Sequence, residues 1–225
     1  TTFLKDQADV KKVYLINQNY AHGKQVSAFA KENLKRKRPD IQIVGDDFHP
    51  LAQVRDFAPY VAKIKASGAE LVYYGGTHVE AALLLRQMRD QGVSATLMAA
   101  DGITDDDFAG IAGPAAEGTL MTYAPDPRKR PTAAAVVAKF RERNFEPHAY
   151  TLYAYAGVEI IRQAAEEAKT LDPRKIAMLM RSGRTFPTVI GNITFDLKGD
   201  VTRPDYVMYV WKKNASGKIT YTELE

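Results

Sequence analysis

Three short stretches hold the side chains best suited to chemistry. Asn17-Gln18-Asn19-Tyr20 sets amides beside an aromatic ring. Gly75-Gly76-Thr77-His78 places two glycines ahead of a hydroxyl and an imidazole. Asp101-Gly102 supplies a carboxylate at a turn. Gathered at one place, they would offer an aromatic wall, free backbone donors and one negative charge. That set suits a small polar ligand with an apolar part. Taken singly, each has a plainer reading. Gly75-Gly76 fits a phosphate loop, an amino-acid clamp or a tight turn. Tyr20 fits an exposed loop tyrosine, and Asp-Gly often only turns the chain.

Several chemistries find no support. Neither Gly-x-Gly-x-x-Gly nor Gly-x4-Gly-Lys-Ser/Thr occurs, which argues against a nucleotide loop. Thr77-x-x-Glu80 reads as a capping box that satisfies its own helix's first donors, which argues against a phosphate held there. No Gly-x-Ser-x-Gly elbow is present for serine hydrolysis. The chain has no cysteine, so thiolate chemistry and disulfides are excluded. His22, His49, His78 and His148 are scattered and make no His-x-x-x-His pair, so no metal site is expected. Asp105-Asp106-Asp107 reads as a solvated helix start, with Thr104 and Asp107 marking the N-terminus. Catalysis therefore finds little support, and no enzyme activity, cofactor or metal is expected.

Composition agrees with a globular chain. Of 225 residues, 45% are hydrophobic and 26% charged, and the formal charge is +4. The basic run Lys35-Arg36-Lys37-Arg38 falls at a predicted helix end, where it complements the helix dipole. No aromatic platform or helix-turn-helix signal accompanies it, so no nucleic-acid partner is expected. No apolar run approaches the roughly 20 residues that span a membrane.

The elements that must position these residues alternate. Lys12–Asn17 reads as a buried strand, followed by the loop "NQNYAHG" and a helix carrying Val26, Phe29, Ala30 and Leu34. Ile41–Val44 is a second strand, with Phe48 and His49 after it. Phe57, Tyr60, Val61 and Ile64 form a helical stripe, closed by Ser67-Gly68. "ELVYY" is strand three, a helix to about Gln91 ends at Gly92, "TLMA" is strand four, and Gly118–Tyr123 is strand five. Such alternation predicts an α/β fold on a parallel sheet. Ligands of open parallel sheets bind beyond the carboxyl ends of the strands, and all three stretches fall there.

"APDPRKRP" (124–131) reads as a crossing segment. Beyond it the texture changes to helices over 132–143, 148–169 and from Asp172-Pro173, a cap followed by proline at the first helical position. "GNITFD" and "DYVMYVWKK" read as strands, with "NASG" as a hairpin turn. The segment 150–161 is apolar on most sides and should bury most of its surface. Burying one large apolar side chain is worth roughly 1.5–3 kcal/mol, so the chain is expected to lack the sheet that its later helices cover. Phe3 and Leu4 look like the tail of a helix already under way, which suggests a C-terminal fragment.

The quoted pieces "KVYLINQNYAHGKQ", "LVYYGGTHVEAALLLRQMRDQG", "FAGIAGPAAEGTLMT" and "AYTLYAYAGVEII" together resemble the type I periplasmic binding proteins. The nearest branch is the branched-chain amino-acid-binding receptors of ABC transporters. The resemblance runs in order over nearly the whole chain. It implies two Rossmann-like α/β lobes with a hinge, closing on a ligand in a cleft. Residues 1–123 would belong to the second lobe, 124–131 to a crossing and 132–195 to the first lobe. Residues 196–225 would form the return crossing and C-terminal strands. It also implies a small-molecule ligand, either an amino acid or a small carboxylate, a membrane permease as partner, a periplasmic location and a further N-terminal part of the same protein. A ligand-sensing core of a regulator with the same fold is the other class it leaves open. Carried over by position, Tyr20 is an aromatic ligand contact, Asp101 pairs with a ligand ammonium, and Tyr150 opens a helix whose aromatics line the cleft. Gly76, Thr77 and His78 complete the expected ligand set. Thr77-His78 departs from the family's usual tyrosine after Gly-Gly, so specificity is expected to turn on those two residues.

Overall fold

In the computed structural model, residues 9–51, 54–148 and 150–224 are described. The expected helix tail at Phe3 and Leu4 lies outside them. The elements in chain order begin with β1 (Lys12–Gln18), α1 (Ala21–Lys37), β2 (Gln42–His49), α2 (Ala58–Ser67), β3 (Leu71–Gly75) and α3 (His78–Asp90). Then come β4 (Thr96–Ala99), α4 (Asp107–Ala112), β5 (Leu120–Tyr123), α5 (Ala134–Glu142), α6 (Thr151–Ala168) and α7 (Pro173–Met180). Strands β6 (Thr185–Thr188), β7 (Gly191–Thr194), β8 (Val207–Lys213) and β9 (Ile219–Glu223) complete the chain. Two compact units result, Thr1–Tyr123 with Val207–Glu225, and Ala124–Tyr206. No helix among the described residues is long and apolar enough to cross a membrane.

The larger unit is a sheet in the order β2-β1-β3-β4-β5-β8-β9. The first five strands run parallel, and β8 and β9 are antiparallel. Successive strand residues face opposite sides. Val13, Leu15, Leu71 and Met98 meet Leu34 of α1 on one face. The opposite face carries Ile16, Val72, Tyr74 and Leu97, buried together with Leu84, Leu85 and Met88 of α3. This two-sided burial explains why β1 and β3 read as unbroken apolar runs. The β8–β9 hairpin turns where expected. Asn214 Oδ1 accepts from Ser216 N and Lys218 N, each at 3.0 Å, and Gly217 takes φ 82°.

Three sequence expectations change here. The loop "NQNYAHG" ends early, because α1 begins at Ala21 with Tyr20 as its N-cap. Gly23 is a packing glycine rather than a loop glycine. A Cβ there would lie 2.1 Å from the Gln18 carbonyl oxygen. Strand two extends to His49, so Phe48 and His49 lie in the strand rather than after it. Phe29, expected inward, is exposed.

The smaller unit has two apolar clusters, both built on α6. Leu152 and Ala156 pack with Ala133, Val137 and Val189. Ile160 and Ala164 pack with Ile176 and Phe186. Asp172 caps α7 through Oδ1, accepting from Arg174 N at 2.9 Å, with Pro173 at the first position as expected. Strand β6 is not among the strands expected from sequence, and it carries Pro187. The two-stranded β6–β7 ribbon tolerates it, having free edges where a missing N–H is harmless. The expectation that 150–161 buries most of its surface is not met within the chain. Tyr155, Val158 and Ile161 stand 40%, 68% and 52% exposed.

Candidate functional site

The parallel strands of the larger unit end in tightly packed turns. Each contact requires a glycine. Gly75 faces Asn17 Oδ1, 2.4 Å from where a Cβ would sit. A Cβ on Gly76 would lie 2.5 Å from the Tyr74 hydroxyl and 2.8 Å from Gln18 Cγ. On Gly102 it would fall 2.1 Å from the Gly76 carbonyl oxygen and 3.7 Å from Thr77 Cα. The Asp101-Gly102 turn is therefore seated directly on the Gly76-Thr77 turn. Sequence reading took Gly75-Gly76 as bringing backbone to a ligand. The structure gives both a packing reason, since both are buried against neighbouring turns.

The start of α3 differs from the expected capping box. Thr77 is the N-cap, but its side chain makes no bond to the helix's backbone donors. Its hydroxyl donates instead to Glu80 Oε2 at 2.7 Å. Gln18, reaching from the end of β1, clamps the same residue at two points. Its Oε1 accepts from Thr77 N and its Nε2 donates to Thr77 Oγ1, both at 3.2 Å. The box fails because Glu80 turns inward, almost wholly buried, and captures the hydroxyl. The first backbone donors of α3 are therefore not taken up by the Thr77 side chain.

Asp101 lies at the end of β4, in a 3-10 turn with Gly102 and Ile103. Burial, with the negative charge of Asp101 as second cause, raises the pKa of Tyr20. The same two causes push Tyr73 up to about 12. Both phenols thus stay protonated as donors near Asp101. The Tyr20 ring lies 5.9 Å from that of His22. Tyr20, Gly76, Thr77 and Asp101 are thus neighbours at one rim, and His78 follows Thr77 as the first residue of α3. Tyr150 belongs to the smaller unit, half-exposed at the N-cap of α6.

Two rim candidates from the sequence turn out to be core. Asn17 is fully buried with both side-chain amide atoms unpaired. His49 is also fully buried. Its Nδ1 lies 2.9 Å from the Pro50 carbonyl and its Nε2 3.2 Å from the Tyr74 hydroxyl, with the Tyr74 ring stacked at 5.8 Å. Burial lowers its pKa, against weaker raising effects from Pro50 and Glu80.

Sequence reading missed the roles of Gln18 and Glu80. Glutamine directly after a buried strand, with no partner nearby in sequence, was the available signal. It also missed a cluster of potential metal ligands. His78, Asp105 and Asp107 each place a ligand atom within 4.8 Å of the others, the two carboxylates being exposed. A mixed nitrogen and oxygen set of this kind suits a divalent transition metal. The sequence search looked for histidine pairs at helical spacing, whereas the fold joins these residues across separate turns. Helix α4 starts at Asp107 with Asp106 as N-cap, and Asp105 Oδ1 accepts from Asp107 N at 2.9 Å, so Thr104 is not the capping residue.

A family model described as periplasmic binding protein matches residues 1–218. The chain belongs to that family. Its place is among the type I periplasmic binding proteins of the branched-chain amino-acid family. A relative in Brucella suis, the "Leu/Ile/Val-binding protein homolog 1", is 49% identical over 169 residues, which is 75% of this chain and 46% of the relative. The chain therefore spans about half the length of that relative. Two solved structures share the fold. A leucine binding protein from Thermotoga maritima superposes with a TM-score of 0.81 at 23% identity, over 98% of this chain and 62% of its own. A solute binding protein of an ABC transporter from Rhodopseudomonas palustris, in complex with p-hydroxybenzoic acid, gives 0.84 at 21% identity, over 100% and 62%. The relatives of this periplasmic binding protein are named as binding proteins, not enzymes.

Proposed function

We propose that this chain is part of the solute-binding receptor of an ABC importer, exported to the periplasm. It captures a small amino acid with an apolar side chain and delivers it to a membrane permease. The observation that carries the reading is Asp101, held at the rim beside Tyr20 and seated on the Thr77 turn. A carboxylate there pairs with a ligand ammonium through a charge-assisted hydrogen bond, stronger than a neutral one in a partly dry site. The Leu/Ile/Val-binding names of the relatives support the amino-acid class. The length of those relatives and the outward apolar face of α6 support a further part of the same protein that covers Tyr155, Val158 and Ile161.

The test is calorimetric titration of the intact protein with leucine, isoleucine and valine, before and after Asp101→Ala. The expected result is loss of about tenfold or more in affinity, since a charged hydrogen bond is worth roughly 1.5–3 kcal/mol. Unchanged affinity would overturn the role of Asp101. A preference for aromatic or aliphatic carboxylates would move the protein to the ligand class of the Rhodopseudomonas palustris receptor.

A further inference from the structure

The hydrogen bonds around Thr77 can be oriented by logic alone. The backbone N–H of Thr77 can only donate, so the Gln18 atom facing it, 3.2 Å away, must be the carbonyl oxygen. The other end of the same amide is then the NH2 group, and it faces Thr77 Oγ1 at 3.2 Å as a donor. Having accepted from Gln18, the hydroxyl sends its own proton the other way, to the Glu80 carboxylate at 2.7 Å. Gln18 and Glu80 are both buried, so neither end of this relay is free to reverse by turning to solvent. Thr77 itself is exposed. With one lone pair taken by Gln18 and its proton committed to Glu80, the hydroxyl keeps one acceptor lone pair and no proton to give. Asp101, on the turn seated against Thr77, is also an acceptor.

We propose that Gln18 and Glu80 are positioning residues that fix the Thr77 hydroxyl as a one-way acceptor. This position then recognises an N–H donor of the ligand and rejects a ligand that brings only oxygen acceptors there. The inference rests on the function proposed above and deepens it. It makes Thr77 a second selector, beside Asp101, for a primary ammonium against a deaminated acid. Glu80 contributes by accepting the hydrogen bond of the Thr77 hydroxyl.

The test compares leucine with 4-methylpentanoate, its counterpart without the amino group, by calorimetry on the intact protein. In Thr77→Val, leucine affinity should fall about tenfold or more, as expected for losing an acceptor to a charged group. The affinity for 4-methylpentanoate should change by less, so that the leucine-to-acid ratio falls. Thr77→Ser keeps the hydroxyl and should restore the leucine preference. Glu80→Gln is the second variant. Its amide can donate to Oγ1 and release the hydroxyl proton outward, so the leucine-to-acid ratio should shift toward the acid with the fold intact by circular dichroism. An equal loss for both ligands in Thr77→Val, or an unchanged ratio in Glu80→Gln, overturns this inference alone. A wild-type preference for 4-methylpentanoate overturns it together with the amino-acid reading.

Discussion

The strand ends of the larger unit and the long helix of the smaller unit solve opposite packing problems. At the strand ends each turn is closed by its neighbours. Gly23 sits on the Gln18 carbonyl, Gly102 on the Gly76 carbonyl, and Gln18, Thr77 and Glu80 bond to one another. On α6 one stripe is buried, through Leu152, Ala156, Ile160 and Ala164, while Tyr155, Val158 and Ile161 face outward. The first region is complete within the chain. The second has an apolar face that the described residues leave exposed. A glycine in the first is thus a contact, and a glycine in the second is only a missing side chain.

The largest effect is expected at Gly102. A Cβ there meets backbone at 2.1 Å, which no rotamer change can relieve. Gly102→Ala should cost about 1–3 kcal/mol by overpacking, read by chemical denaturation, and should weaken ligand binding because Asp101 moves with the turn. A neutral result would show that the turns are not locked together.

A smaller effect is expected from His49, buried just beneath the same turns. Its folded pKa lies below its ordinary value, so the folded state resists protonation. Above pH about 6.5 both folded and unfolded chains hold it neutral and the stability is fully present. As pH falls below that, the unfolded chain takes up a proton that the folded one excludes, and stability declines. The decline continues down toward the lowered folded value. Replacing it with His49→Gln should flatten this part of a stability-against-pH curve. An identical slope in the variant would place the imidazole in contact with solvent.

Gly157, within α6, gives the opposite sign to Gly102. Nothing lies within 4 Å of a Cβ built there. Gly157→Ala should raise stability by about 0.5–1 kcal/mol through helix propensity, measured as a higher melting temperature of this chain. The smallest change is expected at Val158. In this chain alone Val158→Asp should stay within about 0.5 kcal/mol, as for other exposed sites. In the intact protein the same substitution should be strongly destabilising if the face is covered there. Equal effects in both would remove the contrast between the two regions.

Much of the larger unit was legible because its signals are periodic. Leu71-Val72-Tyr73-Tyr74 reads as a doubly buried strand, and Gly68 and Gly92 end helices with φ of 64° and 73° as their positions suggest. Asp172-Pro173 likewise gives a cap that needs no distant partner. The errors fall where one residue type serves two ends. Gly23 looked like a loop, His49 looked like a rim residue, and Thr77 with Glu80 looked like a capping box. Each is decided by what lies opposite it across the fold.

The sequence by itself determined the alternation of strands and helices in the larger unit, the absence of thiol chemistry and the family. These follow from local periodicity and residue types, which act over a few positions along the chain. Only the tertiary structure decided that Gln18, 59 residues from Thr77, clamps it, and that Asp101 rests on the same turn. It also decided which way the Thr77 hydroxyl points, since a proton's direction is set by all the partners around the oxygen, and one of these, Gln18, comes from a distant stretch of chain. Periodicity places a residue at a strand end; the close approach of backbones permitted by Gly76 and Gly102 determines what it can bind.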